Sequence, residues 1–190
     1  MKNTTGILVI LMILVVGFAC SKSMVDSGDT TKVNKIIDEA NNFITTANEK
    51  VKESEKKFGE LETKIEDIKS NKNFEDATKS AKELFPIYDA ADENFKKAAE
   101  KFEEAAKLKI HEKHREYLNA KAQEMKRRAD HALENKKIPQ AFVDSKLKTQ
   151  YETDRERIKK DADKIIKEAK DLAEKAEQIR KENPDVIKQK

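Results

Sequence analysis

The sequence predicts an all-α protein: an elongated antiparallel three-helix bundle of coiled-coil type with a long central helix. Three observations carry this. Apolar or small residues recur at alternating spacings of four and three over long stretches, which winds one stripe slowly around a helix. Helix-breaking residues are scarce, with 4 Gly and 3 Pro in 190 residues. Charged residues make up 41% of the chain, but they alternate with patterned apolar positions in a way that disordered chains lack.

The first stripe reads Val33, Ile37, Ala40, Ile44, Ala47, Val51, Ser54, Phe58, Leu61, Ile65 and Ile68. No Pro interrupts it, and Ser70-Asn71-Lys72-Asn73 ends it, so the first helix is expected over 32–70. At 1.5 Å per residue it is about 60 Å long. The second stripe reads Phe74, Ala77, Ala81, Leu84, Tyr88, Ala91, Phe95, Ala98, Phe102 and Ala105. Its phase then slips and resumes as Ile110, Tyr117, Leu118, Ala122, Met125, Ala129 and Leu133, giving one helix over 74–134. Pro139 marks the next stop, because the residue before a proline disfavours helix. The third helix, over 139–182, carries Phe142, Leu147, Tyr151, Ile158, Ala162, Ile165, Ala169, Leu172, Ala176 and Ile179, and Asn183-Pro184 ends it.

Short connections make consecutive helices antiparallel neighbours. Folding the first helix on the second pairs positions whose numbers total roughly 143–145, which sets Ala47 near Phe95 and Ala40 near Phe102. Folding the third back sets Phe102 against Leu172 and Phe95 against Ile179. Both partners meet the second helix at about 92–112, where Ala98-Ala99 and Ala105-Ala106 widen its apolar face. A three-helix centre is expected there, thinning to two-helix arms. Ile65, Ile68 and Phe74 would lie exposed on one arm, and Met125, Leu133 and Phe142 on the other.

The N-terminus carries a different signal. Lys2 precedes an unbroken apolar run over 7–16, and Gly17-Phe18-Ala19 separates that run from Cys20, the only cysteine. A positive start, a short apolar stretch and small residues at a cleavage point read as a secretory signal. With Cys at that point, the segment resembles a bacterial lipoprotein signal, with Ala19 fitting the pattern while Gly17 and Phe18 depart from it. The resemblance implies that Cys20 becomes the first mature residue and carries a diacylglycerol and a fatty acid such as palmitate, with no other cofactor. It also implies a lipid-anchored place in the bacterial cell envelope, and Ser21 rather than Asp after the cysteine points to the outer membrane. The residues alone also allow an uncleaved anchor over 4–20, at the short end of what spans a bilayer. The organisation expected is signal 1–19, tether 20–31, bundle 32–183 and tail 184–190.

Without residues 1–19 the chain keeps 39 basic against 37 acidic residues. That balance and the absence of a basic patch interleaved with aromatics argue against nucleic-acid binding. No glycine-rich phosphate loop and no nucleophile-base arrangement is present, and the one thiol would be acylated, so no catalysis is expected.

Two features are candidates for special roles. Pro86 falls inside the second helix, where it removes an N–H and clashes with a carbonyl one turn back. The expected register sets it beside Gly59, the only glycine of the first helix, so the pair is a candidate hinge or a static kink. His111 and His114, three residues apart, are weak candidates for a metal site, since i and i+3 share a helix face. They lack the four-residue spacing of the zinc protease pattern, and His131 is too far along the chain to join them.

The function expected is a non-enzymatic envelope lipoprotein acting as helical spacer, scaffold or protein-binding module. Its partners would be the membrane, through the anchor, and a protein or a second copy, through helix-against-helix contact. The alternatives are a lipid or small-ligand carrier with a groove between helices, or a surface adhesin. The terminal Lys190 is similar to that of the small helical lipoprotein crosslinked to peptidoglycan through its last lysine.

Overall fold

The computed structural model describes residues 27–68, 71–145 and 148–187; Cys20 and the signal segment lie outside them. Among the described residues there are four α-helices and no strand: α1 Ser27–Glu66, α2 Asn71–Ala106, α3 Glu112–Asp144 and α4 Lys148–Glu182. The expected three-helix bundle is thus corrected to four helices of similar length. The expected second helix splits at 107–111, and the expected break at Pro139 is absent.

Both corrections have local causes. At the end of α2 the bonds tighten to i→i+3, with Lys107 N–H on the Glu104 carbonyl and Leu108 N–H on the Ala105 carbonyl, each at 3.2 Å. Such a narrowed last turn is a common way for a helix to close. His111 then adopts extended backbone angles, φ −60° and ψ 143°, and caps α3. Pro139 sits inside α3 instead of ending it. Its ring is among the most fully buried side chains of the chain, so packing offsets the lost backbone bond. The helix stops at Ser145, whose N–H still reaches the Ala141 carbonyl at 2.9 Å. At the other terminus α1 begins at Ser27, inside the stretch read as tether. No proline lies between Ser27 and Val33 to stop the helix from propagating backwards.

Close backbone neighbours are α1 with α2, α2 with α3, and α3 with α4, as in an up-down-up-down bundle. The α1–α2 register is visible in side-chain pairs. Lys101 meets Glu39 at 2.7 Å, Lys97 lies 5.8 Å over the Phe43 ring, and Lys57 stands 3.9 Å from Glu83. In all three the numbers total 140, about one helical turn from the expected 143–145. Asp89 of α2 grips Lys136 of α3 through both oxygens, at 2.6 and 2.7 Å. Arg127 of α3 reaches Glu168 of α4 at 3.2 Å.

The apolar interior falls into two clusters, one near each end. The first joins Val33, Ile37 and Ala40 of α1 to Phe95 and Phe102 of α2, Leu118 and Met125 of α3, and Ala176 of α4. The chain beyond α4 folds back onto it, burying Ile187. Phe102, 1% exposed, is the largest fully buried side chain. The second cluster joins Leu61 and Ile65 of α1 to Ala77, Ala81, Leu84 and Tyr88 of α2, Ile138 and Phe142 of α3, and Tyr151 and Ile158 of α4. Each end is therefore a four-helix layer, not a two-helix arm. The midpoint of α4 enters neither cluster, and its buried contribution there is the small residues Ala162 and Ala169.

Candidate functional site

The up-down-up-down order gives the bundle two unlike ends. At one, α1 begins, α2 turns into α3, and the chain after α4 folds under. At the other lie the α1–α2 and α3–α4 connections. The anchor candidate, Cys20, precedes the start of α1 by six intervening residues. An extended stretch of that length reaches about 20 Å.

The opposite end, the tip, carries Phe74, which at 40% exposure is the one exposed large apolar side chain among the described residues. It is the outermost ring of a short aromatic series. Phe142 lies 5.5 Å from it, and Tyr151 lies 5.4 Å from Phe142 in an edge-on arrangement. Edge-on and tilted ring pairs gain from the ring quadrupoles beyond their area burial. Phe74 and Phe142, expected at opposite ends, thus belong to one end, because the chain reverses three times instead of twice. Ile65, Met125 and Phe142, expected as exposed arm residues, are buried. A depression beside the tip, lined by Thr63, Lys64, Asp67, Asn73, Asp76 and Ser80, is polar and open. Its floor is crossed by Lys64 Nζ donating to Ser80 Oγ at 2.7 Å.

Gly59 and Pro86 are not brought level. At the observed register Pro86 stands opposite residue 54, five residues or roughly 7 Å from Gly59. The helix assigned to α2 continues through Pro86, and Pro86 is exposed. A Cβ added at Gly59 would meet nothing within 4 Å.

His111 and His114 lie at the α2–α3 junction but do not act as a pair. His111 Nδ1 accepts the Lys113 N–H at 3.2 Å as the N-cap of α3. His114 is half-buried, with its ring 6.3 Å from that of Tyr117. Burial and the neighbouring His111 hold the His114 imidazole below the ordinary histidine range. Among the described residues no group of three or more His, Cys, Asp or Glu side chains could hold a metal ion.

A polar seam that the sequence reading missed runs along α3. Glu124 is 2% exposed, and its carboxylate accepts from Lys121 at 2.5 Å and from Arg128 at 2.9 Å. Both cations sit one turn away on the same helix, so α3 neutralises its own buried charge. The spacing Lys121, Glu124, Arg128 was the available signal, but as i, i+3 and i+7 it looks like any solvated face. On α2, burial pushes the Tyr88 hydroxyl up to about 12, against the opposing effect of its hydrogen bond with Ser54 of α1.

Among the described residues no helix is long and apolar enough to cross a membrane. Comparison of the chain with protein-family models, with curated proteins and with solved structures returns no match.

Proposed function

We propose that this protein is a lipid-anchored lipoprotein of the bacterial cell envelope, in which a rigid helical bundle acts as spacer and protein-binding module without catalysis. The observation that carries the reading is the apolar run 7–16 followed by small residues and the single Cys20. The fold supports it in two ways. The anchor candidate precedes the end of the bundle where α1 starts, so α1, with 40 residues, would lift the tip about 60 Å off the membrane. The tip then offers Phe74, an exposed aromatic backed by buried rings, and such aromatics are typical anchors of protein interfaces. The outer membrane is the site that Ser21 favours.

Expression of the full chain in a bacterium, with mass spectrometry of its N-terminal peptide, tests this. The expected product starts at Cys20 and bears a diacylglycerol and an amide-linked fatty acid. Cys20→Ser should abolish the lipid and release the bundle from the membrane fraction. A full-length chain with an unmodified thiol would overturn the anchor. For the interface, Phe74→Ser should abolish most crosslinking to a membrane partner while lowering the melting temperature only by the small amount that the lost contact with Phe142 accounts for. Undiminished crosslinking would move the contact elsewhere on the bundle.

A further inference from the structure

The bundle is closed on three sides and open on the fourth. Close backbone packing joins α1 to α2, α2 to α3 and α3 to α4, but does not join α4 back to α1. Near the tip the Glu62–Arg155 ion pair crosses that open side and fixes the level of one helix against the other. On α1 the face below Glu62 carries Glu55, Asn48 and Asn41 at successive intervals of seven. Asn34 continues the series, and all three asparagines are half-buried. In coiled coils an asparagine at a contact position fixes register and strand number at a cost in stability. On α4 the facing positions are Lys159, Ile166 and Ala173, also half-buried. Ile166 belongs to neither apolar cluster.

The charges along this side differ from those elsewhere on the bundle. On α3, Lys126, Arg127, Lys136 and Lys137 each hold a carboxylate. Glu49 and Lys52 of α1 and Asp163, Lys167 and Lys170 of α4 are exposed, and among the described residues none of these five makes an ion pair. Lys159 also lacks one. Burial, with Arg155 beside it, holds its ammonium below the ordinary lysine range. Counted from the Glu62–Arg155 pair, Lys52 and Asp163 stand within about 3 Å of level, and Glu49 and Lys167 within about 2 Å. At these heights each wall presents the sign opposite to the other's.

We propose that the open α1–α4 side is the interface of a parallel homodimer, in which α1 of each copy packs on α4 of the other. A twofold axis parallel to the helices keeps every residue at its own height. Lys52 of one copy then meets Asp163 of the second, and Glu49 meets Lys167, each contact occurring twice. Ile166 and the asparagine series become the centre of the interface, with these charges as its rim. The tip, with Phe74, stays free.

The occupant is a second copy because the two walls complement each other, and only a second copy brings both. Size agrees: the stretch 37–62 is about 40 Å long and two helices, about 20 Å, wide, which gives about 800 Å² per copy, the ordinary size of a specific interface. The parallel orientation rests on the lipid anchor proposed above. Two anchored copies stand with the same end toward one membrane, and confinement there raises their effective concentration. An axis across the helices would instead set α1 on α1 and put the two Cys20 residues at opposite ends.

The test is thiol crosslinking of the full chain in membranes of an expressing bacterium. Two differently tagged copies are co-expressed, one carrying Lys52→Cys and the other Asp163→Cys, beside copies with Cys20 alone as background. A mixed dimer should form through residues 52 and 163, while two Lys52→Cys copies should stay at background. Background crosslinking in both cases overturns the proposal, as does a Lys52→Cys pair that crosslinks more than the mixed one. In detergent micelles Lys52→Glu should weaken the dimer about tenfold, and adding Asp163→Lys should restore it. A strict monomer, or no rescue by the second change, overturns the proposal too. The mass of the Cys20 peptide separates the two readings. An unmodified thiol with the 52–163 crosslink intact removes the anchor and keeps the interface, whereas an acylated Cys20 without that crosslink does the reverse.

Discussion

Arg115, in the first turns of α3, donates through Nε to the carbonyl oxygen of Ala106, the last residue of α2, at 3.1 Å. One side chain thus ties the end of one helix to the start of the next and closes the reversal that makes this a four-helix bundle. A cation on a free C-terminal carbonyl also favours the helix dipole. Arg115→Ala should lower stability by about 1–2 kcal/mol, read as a shift in the denaturant midpoint with unchanged slope. No shift would mean that the narrowed turn at 104–108 holds the junction unaided.

Phe102 belongs to the larger cluster and is 1% exposed. Truncation at such a site loses both transfer energy and packing. Phe102→Ala should cost about 3–5 kcal/mol, and Phe102→Leu about half of that. A melting curve unchanged within error for the alanine variant would remove Phe102 from its central place.

Gly59 and Pro86 each weaken a helix that the surrounding structure does not require to be weak. Gly59→Ala adds a methyl to open space and should stabilise by about 0.5–1 kcal/mol. Pro86→Ala restores a backbone donor on an exposed helix face and should stabilise by about 1–3 kcal/mol. Five residues separate them in level, so their effects should add within about 0.5 kcal/mol. Strong coupling between the two, measured by a double-mutant cycle, would restore the idea of a shared hinge.

Among the described residues Glu124 is the most deeply buried carboxylate, and its two cations are nearer to water, at 14% for Lys121 and 24% for Arg128. Glu124→Ala removes the buried carboxylate that Lys121 and Arg128 share and should cost about 2–3 kcal/mol. Glu124→Gln keeps an acceptor and should cost about 1 kcal/mol. Equal losses for both would show that the charge itself, and not the hydrogen bonding, is what α3 needs at this position.

The helical class and most of the interior were legible in the chain. The stripe from Val33 to Ile68 gives α1 almost in full, because ten successive spacings of four and three admit no other element. The buried places of Phe95, Phe102, Leu84 and Ile158 follow from the same periodicity. The reversal at 107–111 was hidden because Lys107-Leu108-Lys109-Ile110-His111 contains neither Gly nor Pro. Its trace was the slip of phase after Ala105, which suits a break as well as a drift. Pro139 misled in the opposite sense. Proline usually ends a helix, but here a buried ring compensates and α3 runs on to Asp144. Once one reversal is missed and another is displaced, Phe74 and Phe142 fall at opposite ends on paper while their rings lie 5.5 Å apart in space. The capping role of His111 was equally out of reach, since a cap is recognised only where a helix is known to begin.

The chain leaves its bundle where it entered: Ile187 packs into the same cluster as Val33. This decides how the molecule bears load. Tension between its two tails acts across the layers, peeling α1 and α4 away turn by turn as a zipper opens. Tension between the root and the far tip acts along the helix axes instead, and must slide every layer past its neighbour at once. A bundle built this way should resist a pull on its far end better than a tug at the end where both tails emerge.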